Sequence, residues 1–195
     1  MSASENKFKN VFLKKGFFIK RSFFEKTLIN KIFKEIYLAK GVIKYYDKKK
    51  NIRRIEKLYN KGIYLKYLNK RIEDYLSSIF KKRFTIFKDK FNAKPPGGEG
   101  FYAHYDGIFY FKNNKDEKKR GWYEYSNLFI NVLIALDASN QKNGTIEIAK
   151  KHDGSFKKLL NNTYNDGTPN IKREIEKKTS FKAINLKVGD IVIFS

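Results

Sequence analysis

The sequence predicts one α+β, mainly β domain over residues 1–195, in which a mainly helical part (residues 1–83) precedes an antiparallel jelly roll or sandwich (residues 84–195). Apolar residues recur every three or four positions before Phe84, and they form short runs after it. Hydrophobic residues make up 41% of the chain and aromatic residues 16%, which is enough apolar surface for a core despite 32% charged residues. A single globular domain is therefore expected.

The first helix is predicted from the stretch that follows a short apolar strand at residues 17–19. Ser22 and Glu25 are three positions apart, which is the signature of a capping box. Apolar residues then follow at spacings of three and four. The pattern predicts an amphipathic helix over residues 23–39.

A second helix is predicted over residues 65–80. Its apolar positions follow the same helical spacing, and basic residues from Lys81 onward mark its end. The connection between the two helices, residues 47–62, is polar and basic, and we expect a weak helix or an irregular link there.

The second half of the chain predicts strands. Clusters of Gly, Pro, Asn and Asp separate short runs rich in Val, Ile, Phe and Tyr. The runs are FTIFKDKFNAK, GFYAHYD, SNLFINVLIALD, GTIEIAK, FKAINL and DIVIF. Without long helices between them, these strands favour an antiparallel arrangement. The charged stretch of residues 112–125 is long for a hairpin loop and is a candidate lid or rim.

Composition excludes several kinds of chemistry. The chain has no cysteine, so disulfides, zinc-thiolate sites, iron–sulfur clusters and thiol nucleophiles are ruled out. The longest apolar stretch, residues 128–136, is interrupted by Asn131 and is far shorter than the roughly 20 residues of a membrane helix. No signal-like apolar segment follows the N-terminal lysines. We expect a soluble, cytoplasmic protein.

The net charge of +23 is the most unusual feature of the composition. It admits three interpretations, which are a solvated basic surface, attraction of an anionic substrate and binding of nucleic acid. The basic residues are dispersed, which favours the solvated surface, and nucleic-acid binding ranks last because the strands lack the pattern of an RNA-recognition sheet.

The residues with the clearest chemical potential are His104 and Asp106. They are two positions apart in a predicted strand, where alternate side chains share a face. A histidine and a carboxylate placed in this way can supply two of the three ligands of a 2-His-1-carboxylate iron site. Taken alone, a histidine and an aspartate at this spacing are more often a hydrogen-bonded structural pair than metal ligands.

Three stretches of sequence around and after His104 and Asp106 resemble those of a known protein family. The stretches FNAKPPGGEGFYAHYDGIFYF, INVLIALDASNQKNGTIEIAKKHDGS and LKVGDIVIF follow in this order. Together, from Phe17 to the last residue, the chain resembles the phytanoyl-CoA dioxygenase family of Fe(II)/2-oxoglutarate-dependent oxygenases. The resemblance implies a double-stranded β-helix, a cupin-like jelly-roll barrel, flanked by N-terminal helices. It also implies Fe(II) as metal, 2-oxoglutarate as co-substrate, dioxygen, and a small organic substrate that the basic surface suggests is anionic.

The resemblance also assigns roles to particular residues. His104 and Asp106 are the implied iron ligands, and Lys94 matches a lysine that contacts 2-oxoglutarate, although a solvated lysine fits that position equally well. An aspartate at 106, where halogenating relatives have a small residue, implies a hydroxylase. Tyr105 replaces the glutamine most common between the ligands and is expected to face away from the metal.

Three further residues are candidates from the pattern of the sequence. Asn131 is a polar residue in an apolar run and needs a partner, either the co-substrate or a structural hydrogen bond. Tyr102 shares the predicted inward face with the ligands, so we expect it in the substrate pocket. Trp122 lies in the charged stretch, where it either closes over the substrate or packs that stretch down.

The chain departs from the family pattern at its C-terminus. The distal histidine and the arginine that binds 2-oxoglutarate are expected after the strand GDIVIF, which is where the sequence ends. The other histidine, His152, matches a loop histidine of the family and is interpreted as structural. The apolar run of residues 191–194 is expected to leave an unpaired neighbour position in its sheet. We therefore expect a fragment that lacks the last strands, binds iron poorly and is inactive alone. The alternative is a non-catalytic jelly-roll binding protein derived from this family.

Overall fold

The computed structural model describes residues 3–98, 100–150 and 154–195. The helices are α1 (Ala3–Lys15), α2 (Lys26–Leu38), α3 (Ile63–Phe80), α4 (Phe156–Leu160) and α5 (Arg173–Lys178), with a 3-10 helix at Gly121–Glu124. The strands are β1 (Phe17–Lys20), β2 (Ile43–Tyr46), β3 (Ile52–Glu56), β4 (Lys90–Asn92), β5 (Phe111–Lys112), β6 (Lys118–Lys119), β7 (Asn131–Ile134), β8 (Glu147–Ala149), β9 (Phe181–Ala183) and β10 (Ile191–Phe194). None of the described helices is long and apolar enough to cross a membrane.

The main sheet has the order β1-β10-β7, and both pairings are antiparallel. Ile191, Val192 and Ile193 of the central strand are fully buried. Ile191 and Ile193 belong to the core formed with the N-terminal helices, whereas Val192 packs on the opposite side with Ile184 and Leu186. Burial of both faces explains why β10 is a continuous apolar run rather than an alternating one.

The position of β10 corrects one expectation from the sequence. The apolar run at residues 191–194 was expected to leave an unpaired neighbour position in its sheet. In the structure, β10 pairs with β1 on one side and with β7 on the other. Whether the chain is a fragment stays a prediction.

The two predicted helices are confirmed as α2 and α3. Each buries the apolar stripe that the spacing indicated. The buried positions are Ile29, Ile32, Ile36, Leu65, Leu68, Ile72, Leu76 and Ile79. These side chains form the main core together with β10.

The predicted capping box of α2 is wrong. Ser22 has a left-handed backbone, with φ of 49°, and its amide donates to Asp190 Oδ1 at 2.8 Å. The helix begins at Lys26, and Glu25 at the N-cap makes no capping hydrogen bond through its side chain. A long-range contact thus overrides the local capping signal.

The expectation of a weak helix or an irregular link over residues 47–62 is also wrong. Strands β2, β3 and β4 form an antiparallel sheet in that order, and Ile55 of β3 is fully buried in the main core. The Asp47 carboxylate accepts hydrogen bonds from the amides of Lys49 and Asn51, each at 2.8 Å, which stabilises the turn between β2 and β3.

The second half contains short antiparallel pairs in addition to β7 and β10. Strands β5 and β6 form one hairpin within the charged stretch, and β8 pairs with β9. The α+β class is confirmed. Closure of the strands into a complete barrel stays a prediction, because the pairings of the described residues form four separate sheets.

A buried carboxylate joins the two ends of the chain. Asp190 is 1% exposed, and it accepts hydrogen bonds from the amides of Ser22 at 2.8 Å and Lys187 at 2.9 Å. Arg21 Nη1 lies 2.6 Å from Asp190 Oδ2 and 2.7 Å from the carbonyl of Asn185. Asp190 therefore fixes the corner between β1 and α2 against the start of β10.

Gly189 makes this close approach possible. Its φ is +84°, and a Cβ atom at this position would lie 1.9 Å from the carbonyl oxygen of Phe24. The amide of Phe24 donates to the carbonyl of Gly189 at 3.0 Å. A side chain here would push the two backbones apart, so glycine is required.

We predict that Asp190→Ala lowers the free energy of unfolding by about 3 kcal/mol, because it leaves two backbone amides and a guanidinium without their acceptor. Urea denaturation measures this loss. Asp74→Ala, which removes an exposed ion pair with Lys70, is the matched control and is expected to change stability by less than about 1 kcal/mol.

The same carboxylate predicts a dependence on pH. Burial would raise the pKa of Asp190, but the amides of Lys187 and Ser22 and the Arg21 guanidinium outweigh it, and the pKa lies below the usual 3.8. The stabilisation is therefore complete above pH 3.8 and is lost as the pH falls through the lower folded value. The stability difference between wild type and Asp190→Asn should shrink in acid, and a difference that grows in acid would contradict this assignment.

Candidate metal centre

His104 and Asp106 lie on an extended segment held by residues 169–171. The amide of Tyr105 donates to the carbonyl of Pro169 at 3.0 Å, and the amide of Ile171 donates to the carbonyl of Ala103 at 3.0 Å. His104 pairs with Asn170 in an isolated bridge, so the expected strand is reduced to a single ladder position. This backbone pairing is sufficient to give the segment its alternating geometry.

The two side chains converge as the spacing predicts. His104 Nε2 lies 3.4 Å from Asp106 Oδ1, and the side chains are 34% and 26% exposed. Two ligands at right angles on a transition metal, with bonds of about 2.1 Å, are about 3.0 Å apart. The pair therefore has a spacing close to that of neighbouring metal ligands and remains open to solvent.

Neighbouring groups orient both side chains. His104 Nδ1 lies 2.7 Å from the carbonyl oxygen of Tyr102, which accepts a hydrogen bond from Nδ1–H, so Nε2 is the ring nitrogen that faces Asp106. Asn131 Nδ2 donates to Asp106 Oδ2 at 3.1 Å, so Oδ1 is the carboxylate oxygen nearest the imidazole. Metal-binding histidines and carboxylates usually have such supporting hydrogen bonds. The two residues fit a divalent metal such as Fe(II).

In the absence of metal, the interaction of His104 with Asp106 favours binding of a proton to the imidazole. The hydrogen bond to Asp106 raises the pKa of His104 above its usual 6.5, burial lowers it, and the bond to Tyr102 raises it further. The net shift is upward. The protonated form of His104 is therefore favoured beside Asp106. A metal ion that binds to this pair would have to displace the proton.

The other candidate residues have defined contacts. Lys94 Nζ donates to the carbonyl oxygen of Gly144, and Asn131 contacts Asp106. Tyr102 is 81% exposed, whereas Trp122 packs its ring 5.9 Å from that of Phe87 and 5.4 Å from that of Phe129. Their roles toward a co-substrate or substrate stay predictions.

The residue between the two ligands points elsewhere. The hydroxyl of Tyr105 accepts a hydrogen bond from Asn162 Nδ2 at 3.3 Å. This arrangement agrees with the expectation that Tyr105 faces away from the metal.

A third ligand is not present among residues 3–98, 100–150 and 154–195. Within those ranges no group of three His, Asp or Glu side chains could hold a metal ion. The structural interpretation of His152 concerns a residue outside the described part of the chain.

Two cationic residues near the site were not found from the sequence. Lys90 of β4 interacts electrostatically with both His104 and Asp106, and Arg54 of β3 interacts with Lys90. Burial lowers the pKa of Lys90, Asp106 raises it, and Arg54 and Lys88 lower it further. The alternation of Lys88 and Lys90 was visible in the sequence, but β3 was not predicted as a strand.

The fold is shared with solved structures of other proteins. The α-ketoglutarate-dependent non-heme epimerase SnoN from nogalamycin biosynthesis matches all of this chain and 74% of its own, with a TM-score of 0.66 and 11% identity. AviO1 from Streptomyces viridochromogenes Tue57 matches all of this chain and 85% of its own, with a TM-score of 0.58 and 10% identity. At these identities the likeness concerns the fold alone.

The sequence comparison is more specific. The family model described as phytanoyl-CoA dioxygenase (PhyH) matches residues 15–195, and the chain belongs to this family. It is 28% identical over 137 residues to 2-aminoethylphosphonate dioxygenase of uncultured bacterium HF130_AEPn_1. That match covers 70% of this chain and 46% of the relative, so the chain aligns with about half of the relative's length.

We predict that the imidazole of His104 in the metal-free protein titrates above pH 6.5, because Asp106 stabilises its protonated form. The measurement is an NMR titration of the ring resonances, assigned with a His152→Gln variant. Asp106→Asn should lower the pKa. If the pKa does not fall in that variant, the two side chains do not form the pair described above.

Proposed function

We propose that this chain provides the iron-binding core of an Fe(II)/2-oxoglutarate-dependent dioxygenase that hydroxylates a small organic substrate. The observation that carries the proposal is the convergence of His104 Nε2 and Asp106 Oδ1 at 3.4 Å, with both groups held by second hydrogen bonds. Membership of the phytanoyl-CoA dioxygenase family supports the same activity.

The residues of this chain would bind and orient the metal. His104 would bind the metal through Nε2, while the carbonyl of Tyr102 fixes the tautomer of its ring. Asp106 would bind the metal through Oδ1, while Asn131 holds Oδ2. When bound, iron would supply activation of dioxygen, one atom of which would enter succinate as 2-oxoglutarate loses carbon dioxide while the other converts a substrate C–H bond to C–OH. The third protein ligand would come from outside the described residues.

Lys94 is the residue proposed to contact 2-oxoglutarate. Its ammonium donates to the carbonyl of Gly144, at the Asn-Gly turn between β7 and β8. To bind a carboxylate it would exchange this neutral acceptor for a charged one, which gives a stronger hydrogen bond. Asn131 is proposed to act mainly through Asp106.

The second candidate is a non-catalytic binding protein of the same fold. It is favoured by the presence of two metal ligands, rather than three, among the described residues. Such a protein would bind its small molecule equally well with and without Fe(II). A requirement for Fe(II) would exclude it.

We predict that, in the complete protein, His104→Ala and Asp106→Ala each weaken Fe(II) binding at least about a hundredfold. Loss of a supporting residue alone usually costs ten- to a hundredfold, and these residues are the ligands themselves. Anaerobic titration with Fe(II) and 2-oxoglutarate, followed by the charge-transfer absorption of the chelate, measures the binding. Succinate release in air by the complete protein, with 2-aminoethylphosphonate among the substrates tried, measures turnover and should be lost in Asp106→Ala.

The matched control is Asp116→Ala, which removes an exposed carboxylate paired with Lys112 in the β5–β6 hairpin. It is expected to bind Fe(II) as the wild type does. Equal Fe(II) affinity in the wild type, the two ligand variants and this control would contradict the proposed site. A complete protein without Fe(II) affinity would favour the non-catalytic alternative.

A further inference from the structure

A group of cationic side chains lies on one face of the sheet β2-β3-β4. In the antiparallel register Glu56 is opposite Lys90 and Arg54 is opposite Asn92. Because side chains alternate along a strand, Arg54, Glu56 and Lys90 share one face. Lys88, two positions before Lys90, extends the group toward Glu56. Arg54, Lys88 and Lys90 are called the cationic face below.

The cationic face has more donors than acceptors. Glu56 Oε1 lies 3.2 Å from Arg54 Nη1 and 3.9 Å from Lys88 Nζ. Lys90 makes no hydrogen bond or ion pair with the described residues. Its interactions with neighbouring charged groups are electrostatic and act over longer distances. Arg54 Nε is buried and has no hydrogen-bond partner within the described part of the chain. The exposed ammonium of Lys90 is therefore the group of this face with capacity for an additional acceptor.

The cationic face adjoins the metal ligands. Lys90 interacts electrostatically with Asp106 and His104. The Arg54 guanidinium lies 5.9 Å from the ring of Phe101, three residues before His104, and 5.3 Å from the ring of Tyr45. Both rings lie within cation–π distance of the guanidinium and so help to hold it beside the segment that leads to His104.

We propose that Arg54 and Lys90 bind an acidic group of the primary substrate, such as a phosphonate, phosphate or carboxylate, and so hold the rest of the substrate toward His104 and Asp106. This inference rests on the proposed function. Guanidinium and ammonium groups are the usual protein partners of such oxyanions.

The surroundings favour the primary substrate over 2-oxoglutarate as the source of the acidic group. Phe101 is 47% exposed and Tyr45 is 43% exposed, so the cationic face lies at an open rim where an incoming molecule can reach it. The face also belongs to a different sheet from Asn131, whose strand β7 supports Asp106 from the main sheet.

The test is a titration of the metal-free chain with ethylphosphonate, followed by the backbone amide shifts of residues 90 and 101 in NMR spectra. The neutral diethyl ester and 2-oxoglutarate are titrated in parallel. We expect ethylphosphonate to bind, the ester not to bind, and Lys90→Gln to raise the dissociation constant roughly tenfold or more. Arg54→Lys keeps the charge but removes donors, and it should also weaken binding.

The matched control is Lys44→Gln. Lys44 of β2 lies opposite Ile55, on the other face of the same sheet, so this change removes the same charge without touching the cationic face. It is expected to leave ethylphosphonate binding within about twofold of the wild type. Lys90 is exposed, so Lys90→Gln is expected to fold as the wild type does, which circular dichroism verifies.

Four results would overturn the inference. They are the absence of ethylphosphonate binding by the wild type, an unchanged dissociation constant in Lys90→Gln, an equal loss in Lys44→Gln, and an equal loss of 2-oxoglutarate binding in Lys90→Gln. The last would assign the cationic face to the co-substrate. Because these titrations use no metal, their failure is distinct from a failure of Fe(II) to bind at His104 and Asp106.

Discussion

The Asp190 carboxylate is the contact on which the arrangement of the main sheet depends. It is buried, yet it accepts from two backbone amides and an arginine, so the cost of removing it from water is offset by hydrogen bonds. These bonds fix the corner after β1 against the start of β10. Gly189 permits the approach by leaving room for the Phe24 carbonyl.

The main sheet also positions one side chain of the candidate metal centre. Asn131 is the first residue of β7 and lies opposite Phe194 of β10. Its amide then fixes the orientation of the Asp106 carboxylate. The segment that carries His104 and Asp106 has few backbone hydrogen bonds. The candidate site therefore gains a supporting side chain, Asn131, from the buried main sheet. Such support limits the freedom of a ligand that a loop alone would leave variable.

The parts of the fold that were predictable are those with a local cause. The spacing of apolar residues indicated α3, and the two-residue spacing of His104 and Asp106 indicated their convergence. The capping signal at Ser22 failed because its amide bonds to Asp190, a residue 168 positions away. Lys90 lies opposite Glu56 because of a strand register that no local pattern specifies. The proximity of Lys90 to Arg54 was therefore not predictable from the sequence.

The central place of β10 has a consequence for synthesis of the protein. Strands β1 and β7 both hydrogen-bond to residues 191–194, so neither can complete its ladder on this sheet until those residues have left the ribosome. Until then their apolar edges are available to other chains. Ladders between such distant segments also form slowly. The high positive charge would help nascent copies to repel one another during this interval.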